Sequence, residues 1–107
     1  MINIVVKRKS NHIHSIEAKG HAGSGPYGFD LVCAGVSAIL TGGANALQGE
    51  GEEHFNITFK SGYAFIEHKD GAIYNDKFTY TLETMFVMLK TMEESYSEFI
   101  RISEKDI

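Results

Sequence analysis

The chain has one cysteine, Cys33, and a histidine, His21, twelve positions before it. A thiol and an imidazole held together make a nucleophile and its general base. The surrounding residues explain how the two would meet. Ile13, Ile16 and Ala18 rise toward Gly20-His21-Ala22 as a strand does. Asp30 then opens a small-residue apolar run, Leu31 to about Gln48, which reads as a helix. His21 would follow a strand end, and Cys33 would lie in the first turn of a helix. Closing the chain between them costs only about 2 kcal/mol by the logarithmic loop rule.

Each residue type at that junction has a physical use. Asp30 is a good N-cap, because its carboxylate accepts N–H bonds from the first turn. Its oxygens are then committed, which makes it a cap rather than a third group orienting His21. Counted from Asp30, Cys33 is the third helical residue, where unpaired N–H groups and the helix dipole favour a thiolate. The N–H groups of Val32 and Cys33 are candidate oxyanion donors. Ala34 and Gly35 leave room for a substrate backbone. Ser37 lies one turn beyond Cys33 on the same face, where it lines the site or bonds back to a helix carbonyl. Between Ala22 and Asp30 runs Gly23-Ser24-Gly25-Pro26-Tyr27-Gly28-Phe29, a stretch that its glycines make pliable. Such a stretch can close over an extended peptide, with Tyr27 and Phe29 supplying apolar contacts. It lacks the Gly-Lys-Ser/Thr of a phosphate loop.

The elements that must position these residues follow from hydropathy spacing. Ile2, Ile4 and Val6 alternate as one strand, Ser10-Asn11 turns, and a second strand runs from about Ile13 to Lys19. Gly42-Gly43 inside the first helix costs about 1 kcal/mol of propensity per glycine, so the helix either packs closely on the sheet there or breaks early. Phe55, Ile57 and Phe59, a Lys60-Ser61-Gly62 turn, then Tyr63, Phe65 and Ile66 form a second hairpin. Asn75 or Asp76 caps a long helix with the stripe Phe78, Leu82, Met85, Phe86, Leu89, Met92 and Tyr96. A last strand spans Phe99 to Ser103. The order ββαββαβ predicts an α+β domain over residues 1–107, a mixed or antiparallel sheet covered by two helices. Glu50 to Glu53 and Glu93-Glu94 read as solvated loops and faces.

The string Gly20-His21-Ala22, Asp30, Val32-Cys33-Ala34, Val36-Ser37 resembles the ribosomal-processing cysteine proteases of Firmicutes and related bacteria. The resemblance extends over the layout of nearly the whole chain. It implies a homodimeric cysteine endopeptidase with a Cys–His dyad, in which His21 and Cys33 fall on the catalytic positions. It also implies the substrate, the N-terminal extension of large-subunit ribosomal protein number twenty-seven. That extension is removed after an aromatic–aromatic–alanine stretch. Gly20, Ala22, Tyr27, Phe29, Asp30, Ala34 and Ser37 would surround the peptide, and no cofactor is implied.

Composition bounds the alternatives. The chain is 43% apolar and 22% charged, with a net charge of −4, so it lacks the basic stripe of a duplex binder. The N-terminus has no basic-then-apolar signal pattern, and no apolar run reaches membrane length. One unpaired cysteine suits a reducing cytoplasm. A chain of 107 residues supports one core but gains from a dimer interface. Two other readings compete. His12 and His14 share a strand face and, with His21 and Cys33, would make a four-ligand zinc set. A non-enzymatic, ribosome-associated binding module would explain the fold, but not a thiol at a capped helix start.

Overall fold

The computed structural model describes residues 1–26, 30–49, 54–71 and 74–107. Five strands and two helices follow the expected order: β1 (Ile2–Lys9), β2 (His12–Lys19), α1 (Leu31–Gln48), β3 (Phe55–Lys60), β4 (Tyr63–His68), α2 (Asp76–Ser95) and β5 (Ile100–Asp106). The strands form one sheet in the order β3-β4-β2-β1-β5. β1 pairs parallel with β5, and every other pair is antiparallel, so the sheet is mixed.

The hairpin of β1 and β2 closes through Ser10 and Asn11, with φ of 52° and 67°. Two left-handed residues make the tight turn that matches strand twist. A bulge between Lys7 and Arg8 shifts the register. Beyond it, Ile4 faces Ala18, Val6 faces Ile16, and Ile16 in turn faces Ile66 of β4. These residues are buried, together with Ile2, Ala64 and Ile100. They form the apolar face on which both helices pack. Each large aliphatic side chain taken from water there contributes about 1.5–3 kcal/mol.

α1 buries Val32, Val36, Leu40, Ala44 and Leu47. It does not break at Gly42-Gly43. Gly43 instead lets α2 approach, since a Cβ there would lie 2.2 Å from Met85 Sδ. The close packing is therefore against α2 rather than the sheet. α1 is also long and apolar enough, by length and composition, to cross a membrane. That corrects the expectation that no apolar run reaches this length, while its buried stripe is committed to the core.

α2 starts at Asn75, whose side chain accepts the Phe78 N–H at 2.8 Å. Its buried stripe is Phe78, Leu82, Met85 and Leu89. Tyr96 departs from that stripe, because the helix ends at Ser95 and Tyr96 is 43% exposed. Glu93 departs from the solvated-face reading. It accepts the Ile102 N–H at 2.7 Å and pairs with Lys90 at 2.9 Å, tying α2 to β5. Partial burial pushes its carboxyl up, but these two donors outweigh that and hold it below the usual range. Glu50 to Glu53 lie outside the described residues.

The two glycines give a paired prediction. Gly42 has open space where a Cβ would go, so Gly42→Ala should stabilise the chain by up to about 1 kcal/mol through helix propensity. Gly43→Ala should destabilise by about 1–3 kcal/mol, because overpacking against buried Met85 exceeds that gain. Urea denaturation of both variants measures the difference in sign.

Candidate active site

His21 and Cys33 line one cleft because the end of β2 and the start of α1 meet at one end of the sheet. Asp30 is the N-cap of α1, and its Oδ1 accepts the Cys33 N–H at 3.0 Å. The same carboxylate accepts the Ser24 N–H at 2.8 Å and the Ser24 hydroxyl. One carboxylate thus joins the glycine-rich segment to the helix that carries the thiol. The Ser24 hydroxyl first, then the backbone N–H groups of Cys33, Ser24 and Val32, hold the Asp30 carboxyl far below its ordinary value, against a smaller opposing effect of burial. The reading of Asp30 as a cap with occupied oxygens agrees with this geometry.

The half-buried Cys33 thiol accepts a hydrogen bond from the Ala22 N–H at 3.1 Å. Ala22 itself is buried at 4% exposure, so what it offers the site is its backbone, next to His21. His21 and Cys33 both line a cleft of about 460 Å³. Of the other residues expected around a substrate, Gly20, Asp30, Ala34 and Ser37 also line it. Tyr27 and Phe29 lie outside the described residues.

One expectation is overturned. The N–H of Cys33 does not stand free for an oxyanion, because it donates to the Asp30 carboxylate. The backbone donor in contact with the sulfur is that of Ala22.

Sequence reasoning missed the far wall of the cleft, which is the β3–β4 hairpin tip with Phe59, Lys60, Gly62 and Tyr63. The turn itself was legible, but its place beside His21 depends on the pairing of β2 with β4. That pairing sets Lys19 opposite Tyr63, and the Gly20 N–H donates to the Gly62 carbonyl at 2.8 Å. Phe59 is 44% exposed and presents an aromatic surface at the cleft. Tyr63 is fixed by donating its hydroxyl to Glu17 at 2.9 Å.

The zinc set does not assemble. His12 and His14 begin β2 whereas His21 follows its end, about 23–30 Å away along an extended strand. His12 stacks on Tyr74 at 4.6 Å, and His68 stacks on Tyr74 at 4.3 Å. His14 Nδ1 lies 3.4 Å from the Tyr74 hydroxyl. Among the described residues, no group of three or more His, Cys, Asp or Glu side chains is arranged to hold a metal ion.

The depressed Asp30 gives a pH prediction. Its ionised form is favoured by folding. The stability it contributes is therefore fully present above the unfolded carboxyl value near 4 and is lost as the pH falls from there toward the folded value. Asp30→Asn should differ from the parent by a constant amount above about pH 5 and converge with it below about pH 4. Chemical denaturation at stepped pH reads this out, and a gap independent of pH would contradict the assignment.

Comparison with known proteins places this geometry. The family model described as cysteine protease Prp matches residues 1–101. The ribosomal processing cysteine protease Prp of Staphylococcus aureus is 41% identical over 86 residues, covering 80% of this chain and 81% of that protein. Its Bacillus subtilis counterpart is 34% identical over 109 aligned residues, covering 96% of each. The crystal structure of the Staphylococcus aureus protease with a covalently linked product peptide superposes with a TM-score of 0.88 at 37% identity. It covers 98% of this chain and 100% of that one. The complex of the same protease with a substrate peptide gives 0.83 at 36% identity, with the same coverage.

Proposed function

The chain belongs to the Prp family of ribosomal-processing cysteine proteases, and from that premise we propose that Cys33 and His21 are its catalytic dyad. We further propose that its substrate is the N-terminal extension of large-subunit ribosomal protein number twenty-seven. The observation that carries the dyad is the sulfur of Cys33, in a capped first helical turn, bonded to the N–H of the residue beside His21. His21 takes the thiol proton, and the thiolate attacks the scissile carbonyl. The carbon–nitrogen bond then breaks as His21 returns the proton to the leaving amine. Water, deprotonated by His21, hydrolyses the acyl-enzyme and frees the thiol. As negative charge moves from sulfur to the carbonyl oxygen, the Ala22 N–H is the backbone donor at hand.

The substrate assignment rests on the family. The related Staphylococcus aureus enzyme has been crystallised with a substrate peptide and with a covalently linked product peptide. An open cleft with Phe59 at its wall suits an extended segment bearing aromatic side chains. The chain acts as a homodimer in the cytoplasm in this reading. Tyr80, Val87 and Met88 support the dimer, as exposed apolar surface on α2.

The test is to incubate the protein with the extended ribosomal protein from the same organism and to locate the cut by mass. Cys33→Ala and His21→Ala should each abolish cleavage while leaving the fold intact. The double variant should be no slower than either single one, because members of a coupled catalytic set are non-additive. Full activity of Cys33→Ala would sink the dyad, and a metal-dependent cut would restore the zinc reading. Light scattering during size-exclusion chromatography reads the dimer.

A further inference from the structure

The β3–β4 turn does more than wall the cleft. Gly62 adopts φ +69°, and its Cα side faces the His21 ring so closely that a Cβ would lie 2.9 Å from His21 Nε2 and 3.4 Å from Cδ2 and Cε1. All three of those atoms belong to the outer edge of the imidazole. The backbone on either side is fixed independently, by the Gly20 N–H on the Gly62 carbonyl and by the pairing of Lys19 with Tyr63. The two segments therefore cannot move apart to admit a side chain without losing ladder bonds, so a side chain at residue 62 would press on the exposed edge of the imidazole.

We propose that Gly62 is a positioning residue for the catalytic imidazole. Its bare Cα is the shelf against which His21 rests, and any side chain there would displace the ring from its working place near Cys33. The inference rests on the dyad reading and extends it to a residue remote in sequence. A ring that must take a proton from Sγ and return it to a leaving amine has to be held to within a fraction of an ångström. Contact with a surface that has no side chain limits where the ring can sit. The proposal accounts for glycine at this turn beyond its φ, since Asn also tolerates the left-handed region yet would bring the same Cβ.

The test compares Gly62→Ala with Gly71→Ala. Gly71 has φ +79° and, among the described residues, nothing within 4 Å of where a Cβ would go, so it serves as the control for left-handed strain. Both variants should lose similar amounts of thermal stability. Gly62→Ala should lower kcat by about tenfold to a hundredfold, the scale of misplacing a reacting group by an ångström. Its KM should stay within about twofold of the parent, because peptide binding by the rest of the cleft is retained. The His21 imidazole resonances should move in Gly62→Ala and stay in place in Gly71→Ala. Gly62→Asn, which is less strained at positive φ, should repeat the kcat loss and provides the reading if Gly62→Ala does not fold. Equal kcat in the Gly62 and Gly71 variants, with His21→Ala inactive, would overturn the positioning role and leave the dyad standing. Activity in His21→Ala would overturn both.

Discussion

The carboxylate of Asp30 is the constraint on which the site depends. It receives donors from Ser24 and from the first turn of α1, two segments separated by the glycine-rich stretch. An ionised oxygen pair accepts several N–H and O–H bonds at once, and each such bond favours the charged form. A serine or threonine cap would satisfy the helix but would have little left for Ser24. With both segments held, the chain leaving β2 has to pass beside the helix start. There the Ala22 N–H meets the Cys33 sulfur at 3.1 Å. The cap is thus a tether as well as a terminator, and it explains why a segment with so much glycine can deliver a histidine to a defined place.

Sheet topology does the rest. Because β1, β2 and β4 alternate in direction, the end of β2 and the β3–β4 turn fall at the same end of the sheet. The β1–β2 turn falls at the other end. His21 is carried to the first of these ends. His12 and His14 start β2 at the opposite one, where they meet Tyr74 with His68. That opposite cluster is stacked aromatic packing with carboxylates at its margin, His14 Nε2 being 3.9 Å from Glu67 and 4.0 Å from Asp70. His12 and His14 are separated by strand geometry from His21 at the cleft, which is why spacing alone suggested a zinc set that the fold does not build.

What was legible in the sequence was local. Alternation gave the strands, Asp30 and Asn75 gave the helix starts, and Ser10-Asn11 and Ser61-Gly62 gave the turns. Cys33, His21 and Asp30 could be placed because the chemistry of a capped first turn is encoded within a few residues. What was not legible depends on contacts far apart in the chain. The pairing of β2 with β4 brings Phe59, Lys60, Gly62 and Tyr63 to the cleft, and no local pattern encodes it. The same is true of Gly43 against Met85 and of Glu93 reaching the Ile102 N–H. The misassigned oxyanion donor, the Cys33 N–H, has a different origin. Capping and anion binding draw on the same N–H groups, and an Asp at the cap takes them first.

The division of labour along α1 shows how a small chain can hold a reactive group still. Val32, Val36, Leu40, Ala44 and Leu47 anchor one stripe of the helix in the core. Cys33, Ala34 and Ser37 sit next to that stripe, facing the cleft. The helical period puts Cys33 one residue from a fully packed valine, so the thiol inherits the rigidity of the core without being sealed inside it. A thiol moved around the helix to the Val32 position would be buried and inert, and one at Leu31 would lie on a residue that is 82% exposed. The histidine has no such anchor in its own element, since it follows a strand end. The chain around it is tied on one side by Ser24 to the Asp30 carboxylate and on the other by the Gly20 N–H to the Gly62 carbonyl of the β3–β4 turn. The thiol and the histidine are thus held by different parts of the fold, the packed helix for one and a long-range backbone contact after a strand end for the other.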